Sequence, residues 1–433
     1  MSVKKEEKVN KEQKDVAAEQ SSAHIAGVAQ SMQKELKGSP GDVSVIRLVS
    51  NLIENAVELR ASDIHIDPSE KEIRVRFRID GVLHENFTFP KELQSEIITR
   101  IKVLAGLRTD EHQAAQDGRI RFVLSHDGGS NIDIRVSIAP TFYGENCVMR
   151  LLGENAQTFS LETLGFSPVN FDRIMRAIKR PYGMILATGP TGSGKTTTLY
   201  AILKKLNSKE ISIITIEDPV EYSMEGIDQV QVNARTNLTF AQGLRFILRQ
   251  DPNIIMVGEI RDNETAGISV NAAMTGHLVL TTLHTNDSST TLPRLLDMGV
   301  EPFLISSTIN IAIGQRLVRM ICPDCKVQRR LTEAELKALQ ASISSDLLKN
   351  QTDFFMGVGC KKCDGSGYRS RIGIHEVLEM NDEIRQLIMH HSDASDVRKA
   401  AIKGGMVPML EDGIQKAIQG VTTIEEVLRV FHD

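Results

Sequence analysis

Between Gly189 and Thr197 the chain reads Gly-Pro-Thr-Gly-Ser-Gly-Lys-Thr-Thr, a spacing of glycines, lysine and hydroxyls suited to a phosphate chain. Glycines let the backbone turn so that successive N–H groups face inward around an anion. Lys195 can then reach the outer phosphates, and the Thr196 hydroxyl suits Mg²⁺. Gly189, Pro190, Thr191, Gly192, Ser193, Gly194, Lys195, Thr196 and Thr197 are therefore candidate nucleotide-binding residues. An apolar run (184–188) precedes them and a helical stretch follows. The loop is thus predicted at a strand–helix junction, where the helix amino terminus adds partial positive charge.

Other residue types complete what ATP hydrolysis requires. Ile-Ile-Met-Val-Gly-Glu (254–259) reads as a buried strand ending in a carboxylate, and Glu259 is positioned to polarise water for in-line attack. Many such strands end in Asp-Glu; Gly258 stands here instead, so that strand is not expected to ligate metal. Glu217, Asp218 and Glu221 cluster past another strand, at the edge where open α/β sheets bind ligands. Glu217 or Asp218 could hold Mg²⁺ through water or place the nucleophile, or the three could form a solvated acidic turn. His277 and His284 bracket the apolar run Leu278–Leu283 and read either as γ-phosphate sensors or as structural histidines. Phosphoryl transfer also gains from a guanidinium on the γ-phosphate. Arg245 and Arg249, four apart on one helical face, and Arg119 and Arg135, on strands of an earlier domain, could supply it or could be surface charges.

Cys322-Pro-Asp-Cys325 and Cys360-Lys-Lys-Cys363 form two knuckles. Four thiolates from paired turns make a closed tetrahedral Zn²⁺ site, structural because no position remains for water. The gap between knuckles, about 35 residues, exceeds the usual roughly 15–20, and a helical insertion over 331–348 accounts for it. A redox role is the competing reading, but no thioredoxin-like context surrounds either pair. Cys147, in a strand, reads as a small buried apolar residue.

The elements that must position these groups follow from the patterning. The 433-residue length suits two or three domains, and 41% hydrophobic with 25% charged residues is ordinary for a soluble globular protein. A net charge of -5 argues against nucleic acid as a partner of the whole chain. No apolar run reaches the roughly 18–20 residues of a membrane span, and the polar amino terminus has no signal-peptide h-region; a cytoplasmic protein is expected.

Residues 1–40 read as a flexible polar tail. An amphipathic helix near 45–57 opens an α+β domain over 41–155, whose strands at 73–79, 119–124 and 131–138 alternate apolar and polar residues; a helix is expected over about 91–106. Asp80-Gly81 is predicted to turn the first strand into a hairpin, and Asp127-Gly128-Gly129 marks a second turn. After a linker over 156–180, short continuous apolar strands at 184–188, 211–216, 254–258 and 278–283 alternate with helical stretches. This is the pattern of a parallel sheet covered on both faces. The second domain is expected over 181–433, with the cysteine module at about 318–370 and a helical part over 371–433.

The order RASDIHIDP, VRFRIDGVL, AAQDGRI, IRVSIAPT, GPTGSGKTTTLY, IEDPVEY, ILRQDPNIIMVGEIRD, TGHLVLTTLHTND, CPDC…CKKC and GMVPMLEDGI resembles the ATPases of type II secretion and type IV pilus assembly over about residues 42–431. The resemblance implies a hexamer in which a PAS-like domain precedes a RecA-like ATPase domain. It implies ATP, Mg²⁺ and Zn²⁺ as ligands. The expected partners are an inner-membrane platform and cytoplasmic docking proteins, with peripheral attachment at the inner membrane. By position, Lys195 and Thr196 fall in the Walker A loop, Glu259 in Walker B, Glu217, Asp218 and Glu221 in the Asp box, and His277 and His284 in the His box. Arg119, Arg135, Arg245 and Arg249 fall where the family keeps nucleotide-reaching arginines. The cysteine pairs resemble the zinc module of assembly and secretion motors, which retraction motors generally lack. Two departures stand out: Glu111-His112-Gln113 replaces Glu-Arg-Arg, and the helical domain or domains that many members carry before the helix near 45 have no counterpart. A nucleotide-gated scaffold with little turnover, and a retraction or DNA-transfer motor, are the competing readings.

Overall fold

The computed structural model describes residues 44–124, 131–152, 159–342, 348 and 351–432. The expected tail, the turn at 127–129, the start of the expected linker and the far end of the helical insertion lie outside them. Two compact units are present: residues up to Ala156 with the short turn Cys360–Gly365, and Gln157–Gly359 with Ser366–Asp433.

Among the described residues the first unit is a six-stranded antiparallel sheet with two α-helices. α1 (Val45–Glu58) leads into β1 (Ala61–Pro68), β2 (Glu72–Ile79) and β3 (Val82–Pro90). α2 (Gln94–Ala105), β4 (Gln116–Val123), β5 (Asn131–Thr141) and β6 (Gly144–Leu152) follow, in the sheet order β3-β2-β1-β6-β5-β4. Period-two alternation decides which face is covered. Ile73, Val75 and Phe77 of β2 and Ile132, Ile134, Val136 and Ile138 of β5 join one buried cluster with Leu48, Leu52 and Ile53 of α1 and Ile97, Ile98 and Ile101 of α2. The residues between them, such as Arg74, Arg76, Asp133 and Arg135, take the other face. Asp80 and Gly81 form the β2–β3 turn with φ of 48° and 89°, the left-handed pair that a two-residue hairpin requires.

The second unit opens with α3 (Pro168–Ile178), whose amino end is capped by the Ser167 hydroxyl accepting from the Asn170 N–H, with Pro168 at the first helical position. There follow β7 (Gly183–Thr188), α4 (Lys195–Leu206), β8 (Ile213–Glu217), β9 (Asp228–Gln231), α5 (Phe240–Ile247), β10 (Ile254–Val257), α6 (Asn263–Met274), β11 (Leu278–Leu283), α7 (Ser288–Asp297), α8 (Pro302–Thr308) and β12 (Ile309–Ile321). The remainder comprises β13 (Lys326–Arg330), α9 (Glu333–Ser342), β14 (Asp353–Gly357), β15 (Tyr368–Glu379), α10 (Asp382–Met389), α11 (Ala394–Lys403), α12 (Met409–Ile418) and α13 (Ile424–His432). The main sheet runs β15-β12-β7-β11-β10-β8-β9, and β12, β7, β11, β10, β8 and β9 pair in parallel. Alternate residues of the central strands enter two separate cores. Leu186, Ile216, Val257 and Val279 pack into one, and Ile185, Ile213, Met256 and Leu280 into the other. That is why these strands read as unbroken apolar runs: both faces are covered.

Two features depart from the sequence expectation. The segment from 371, expected to be helical, begins inside β15, which pairs antiparallel with β12 from Ile311↔Glu379 to Ile321↔Tyr368. A short apolar run carries no period that separates a buried strand from a buried helix, and here the long β12 supplies the pairing edge. The sheet is therefore mixed, with one antiparallel strand at its border. Between the knuckles the chain forms α9 within the expected helical stretch 331–348, flanked by a two-stranded β13–β14 ribbon outside it that the sequence expectation did not include.

Candidate nucleotide site and thiol cluster

Because β7, β11, β10 and β8 are parallel neighbours in that order, the segments leaving their carboxyl ends share one edge. Along it stand Gly189, His284, Glu259 and Glu217. The phosphate loop leaves β7 with Gly189 at φ 144° and Gly194 at φ 88°. A Cβ at 189 would stand 2.4 Å from the Gln315 carbonyl, so both close approach and backbone angle require glycine there. Gly194 caps α4, whose first residues are Lys195 and Thr196. The Lys195 ammonium donates to the loop carbonyls of Gly189 (2.8 Å) and Pro190 (3.1 Å). Burial lowers its affinity for the proton, and the charge of Glu259 works against that shift. Among the described residues the Ser193 hydroxyl, buried in the loop, has no hydrogen-bond partner, which suits a cradle built for an acceptor-rich ligand.

Glu259, 14% exposed, is held between two side chains: Arg261 pairs with one carboxylate oxygen, and His284 Nε2 lies 3.0 Å from the other. Burial pushes the Glu259 carboxyl up, but the hydrogen bonds and charges of Arg261 and His284 outweigh it, leaving it below the ordinary carboxylate range. Arg261 also lies 3.9 Å from Asp218 and thereby bridges the strand-end acid and the acidic turn. His284 is placed by a knot between β7 and β11: Thr188 Oγ1 donates to the carbonyls of Leu283 and Thr285, and the Thr285 N–H returns a bond to Thr188.

Glu217 behaves differently. Only 2% exposed, its carboxylate accepts from Tyr200 of α4, from Thr215 Oγ1 (2.7 Å) and from Gln229 Nε2 (3.2 Å). Burial raises its pKa, and those hydrogen bonds offset the shift only in part. Gly258 explains why no second acid precedes Glu259. A Cβ there would sit 3.3 Å from Glu217 Cα, and a carboxylate would crowd a second negative charge against a buried one.

Of the other candidates on this unit, His277 is held at the opposite end of its strand, and Arg245 and Arg249 are engaged on α5 and α6. His277 sits at the amino end of β11, its Nδ1 2.9 Å from the Ala272 carbonyl, and its own carbonyl accepts from Gly183 at the start of β7; Gly189 follows the far end of that strand. Arg245 pairs with Glu264 of α6. Arg249 donates to the Arg245 carbonyl and lies over the Phe246 ring. In the first unit, Arg119 and Arg135 are direct cross-strand partners, and Arg135 is in turn opposite Arg150. Arg150 Nε donates to Asp63 (2.9 Å). A row of guanidiniums thus crosses three strands. In the Glu111-His112-Gln113 stretch, Glu145 binds both Lys102 (2.7 Å) and His112 (2.8 Å), so that stretch is tied down locally. Arg261, Tyr200 and Arg150 were not singled out from sequence. Arg261 had a signal, since it stands two residues past Glu259; the others depend on strand register and helix facing.

The thiols of Cys322, Cys325, Cys360 and Cys363 lie within 4.8 Å of one another. The Cys325 carbonyl accepts from Val358, and the Cys322 N–H donates to Gly367. Four soft donors at that spacing fit a tetrahedral Zn²⁺. Cys147 is fully buried and its thiol is pushed up by desolvation, as for an inert packing residue.

The model of the type II/IV secretion system protein family matches residues 39–429. The chain is 46% identical to the type II secretion system ATPase E of Vibrio cholerae over 398 residues, covering 92% of this chain and 77% of the relative. It is 45% identical to the type IV pilus assembly ATPase PilB of Myxococcus xanthus, covering 91% and 69%. Among solved structures, the pilus retraction motor PilT with bound ADP superposes with a TM-score of 0.60 at 26% identity, covering 89% of this chain and 97% of that one. The ATPase DotB of Legionella pneumophila shares the fold, with a TM-score of 0.65 at 22% identity and coverage of 92% and 98%.

Proposed function

Because this chain belongs to the type II/IV secretion system protein family, we propose that it hydrolyses ATP as the motor of a type IV pilus or a type II secretion pseudopilus. The observation that carries the mechanism is Glu259, kept ionised between Arg261 and His284 on the edge where the phosphate loop opens. Lys195 leaves its loop carbonyls for the β and γ phosphates. Glu259 accepts a hydrogen bond from the attacking water and aligns it in line with the bond to be broken. The water oxygen bonds to the γ-phosphorus as the bond to the β–γ bridging oxygen breaks, and ADP departs with that oxygen. The water's proton passes to Glu259 or to the released phosphate, so no covalent intermediate forms on the protein. Thr196 is the residue that would hold Mg²⁺, which supplies charge neutralisation on the phosphates when bound. Glu217 and Asp218 serve as secondary acids on the same edge.

The working form is a homo-hexamer of a PAS-like unit and a RecA-like unit, bound peripherally at the cytoplasmic side of an inner membrane and docked to a platform protein. Among the described residues no helix is long and apolar enough to cross a membrane. The arginines support a shared site. Arg119 and Arg135 stand on a different unit from the phosphate loop, so a neighbouring subunit is the natural source of the guanidinium. Specific phosphate release should therefore rise with protein concentration as rings assemble, and mixing in a Lys195→Ala chain should poison wild-type subunits. Full activity from a dilute, verified monomer rejects the shared site. Absence of turnover in assembled rings, together with retained ATP binding, favours a nucleotide-gated scaffold.

A further inference from the structure

We propose that Gln315 of β12 is a positioning residue that holds the phosphate loop in its nucleotide-binding shape. Gln315 is 1% exposed, and both ends of its amide are used on the loop and its helix. Nε2 donates to the Ser193 carbonyl (2.7 Å), and Oε1 accepts from the Thr198 hydroxyl of α4 (2.8 Å). The partners fix the amide orientation, since a carbonyl can only accept. Its backbone approaches the loop as well: Cβ atoms built at Gly189 and Gly194 would stand 2.4 Å from the Gln315 carbonyl and 3.2 Å from its Nε2. One residue therefore touches the beginning of the loop, its end and the first turn of the helix behind it.

The chemistry of phosphate binding explains why that grip matters. A loop that turns its N–H groups toward an anion must turn carbonyls away, and a buried carbonyl needs a donor. Gln315 supplies that donor to Ser193. Without it the carbonyl is left buried and unpaired or rotates toward the ligand, where its partial negative charge opposes phosphate. The loss falls on ground-state and transition-state binding alike, so KM for ATP moves and kcat does not. The same strand ends at Ile321, one residue before Cys322 of the thiol cluster, so the element that grips the loop leads directly into a candidate metal ligand.

The inference rests on reading residues 189–197 as the nucleotide loop, and the experiment separates the two. Steady-state kinetics on assembled full-length protein would compare wild type with Gln315→Met, isosteric without hydrogen bonds, Gln315→Glu and Thr198→Val, with Lys195→Ala as the loop control. Expected results are KM for ATP raised about 5–30-fold in Q315M, which loses both buried hydrogen bonds and leaves the Ser193 carbonyl without its donor. Q315E should do no better, because a carboxylate cannot donate to Ser193. T198V should show a smaller rise of the same kind, and it carries the test if Q315M does not fold. Saturating kcat should stay within about twofold throughout. Unchanged KM in folded Q315M or wild-type behaviour of Q315E overturns the proposal, as does a fall in kcat at constant KM. If Lys195→Ala binds ATP as well as wild type, it is the loop reading that fails.

Discussion

The nucleotide edge and the thiol cluster are assembled by opposite means. The edge collects its groups from four consecutive parallel strands of one sheet, each delivering one residue at a carboxyl end. The cluster draws two knuckles from distant stretches into a space where four thiols lie within 4.8 Å. On the edge, polar side chains are tuned against each other: Glu259 has its pKa held down by Arg261 and His284, and Glu217 is buried among neutral donors. In the cluster there is no such division of labour; four equivalent soft donors suit one ion and leave no position for chemistry. Reaction needs unlike groups with room for substrate, whereas a structural metal needs like groups with none.

Removing thiols should give the largest effect. Substituting Cys322 and Cys325 by Ser should abolish bound zinc, a contribution on the order of 10 kcal/mol in small metal modules. It should lower the melting temperature while ATP binding survives. Elemental analysis and nucleotide titration on the same preparation check both halves. Absence of zinc from protein purified without chelator, or loss of ATP binding in a folded double variant, breaks the separation between the two regions.

Glu259→Gln should do the converse, leaving metal content and ATP affinity intact while turnover falls about 10²–10⁴-fold. If more than a tenth of the rate survives, the water-aligning role passes to Glu217 or Asp218.

A subtler comparison lies within the edge. Glu259 has its pKa held down, so it stays ionised as pH falls. Glu217 has its pKa raised, so its ionised fraction declines first, at a pH above the ordinary carboxylate range. It is faced by the Tyr200 and Tyr222 phenols, by the Thr215 hydroxyl and Gln229 amide, and by Glu221. If its carboxylate form is used, the acid limb of kcat belongs to Glu217. Tyr200→Phe removes one donor to the charged form and should move that limb upward, a few-fold loss on the acid side that recovers as pH rises; Glu217→Gln should remove the limb. A Tyr200→Phe profile that superposes on wild type shows that Glu217 is a structural acid.

The sequence by itself determined the phosphate loop, because its function resides in contiguous backbone whose glycines can be counted. It also determined the apolar central strands, since burial on both faces leaves no polar position, and the pairing of the knuckles, since four cysteines at that spacing have few other uses. Tertiary structure alone decided three things. It set the surroundings of the two acids: Glu217 and Glu259 look alike at strand ends, and their neighbours Tyr200 and His284 come from other elements. It separated His277 from His284, because a six-residue strand places its two flanking residues at opposite edges of the sheet. And it brought Gln315 under the loop from 120 residues beyond Lys195, a contact encoded in strand order. Spacing along a chain reports what one backbone segment can do; charge state and reach depend on what packs against it.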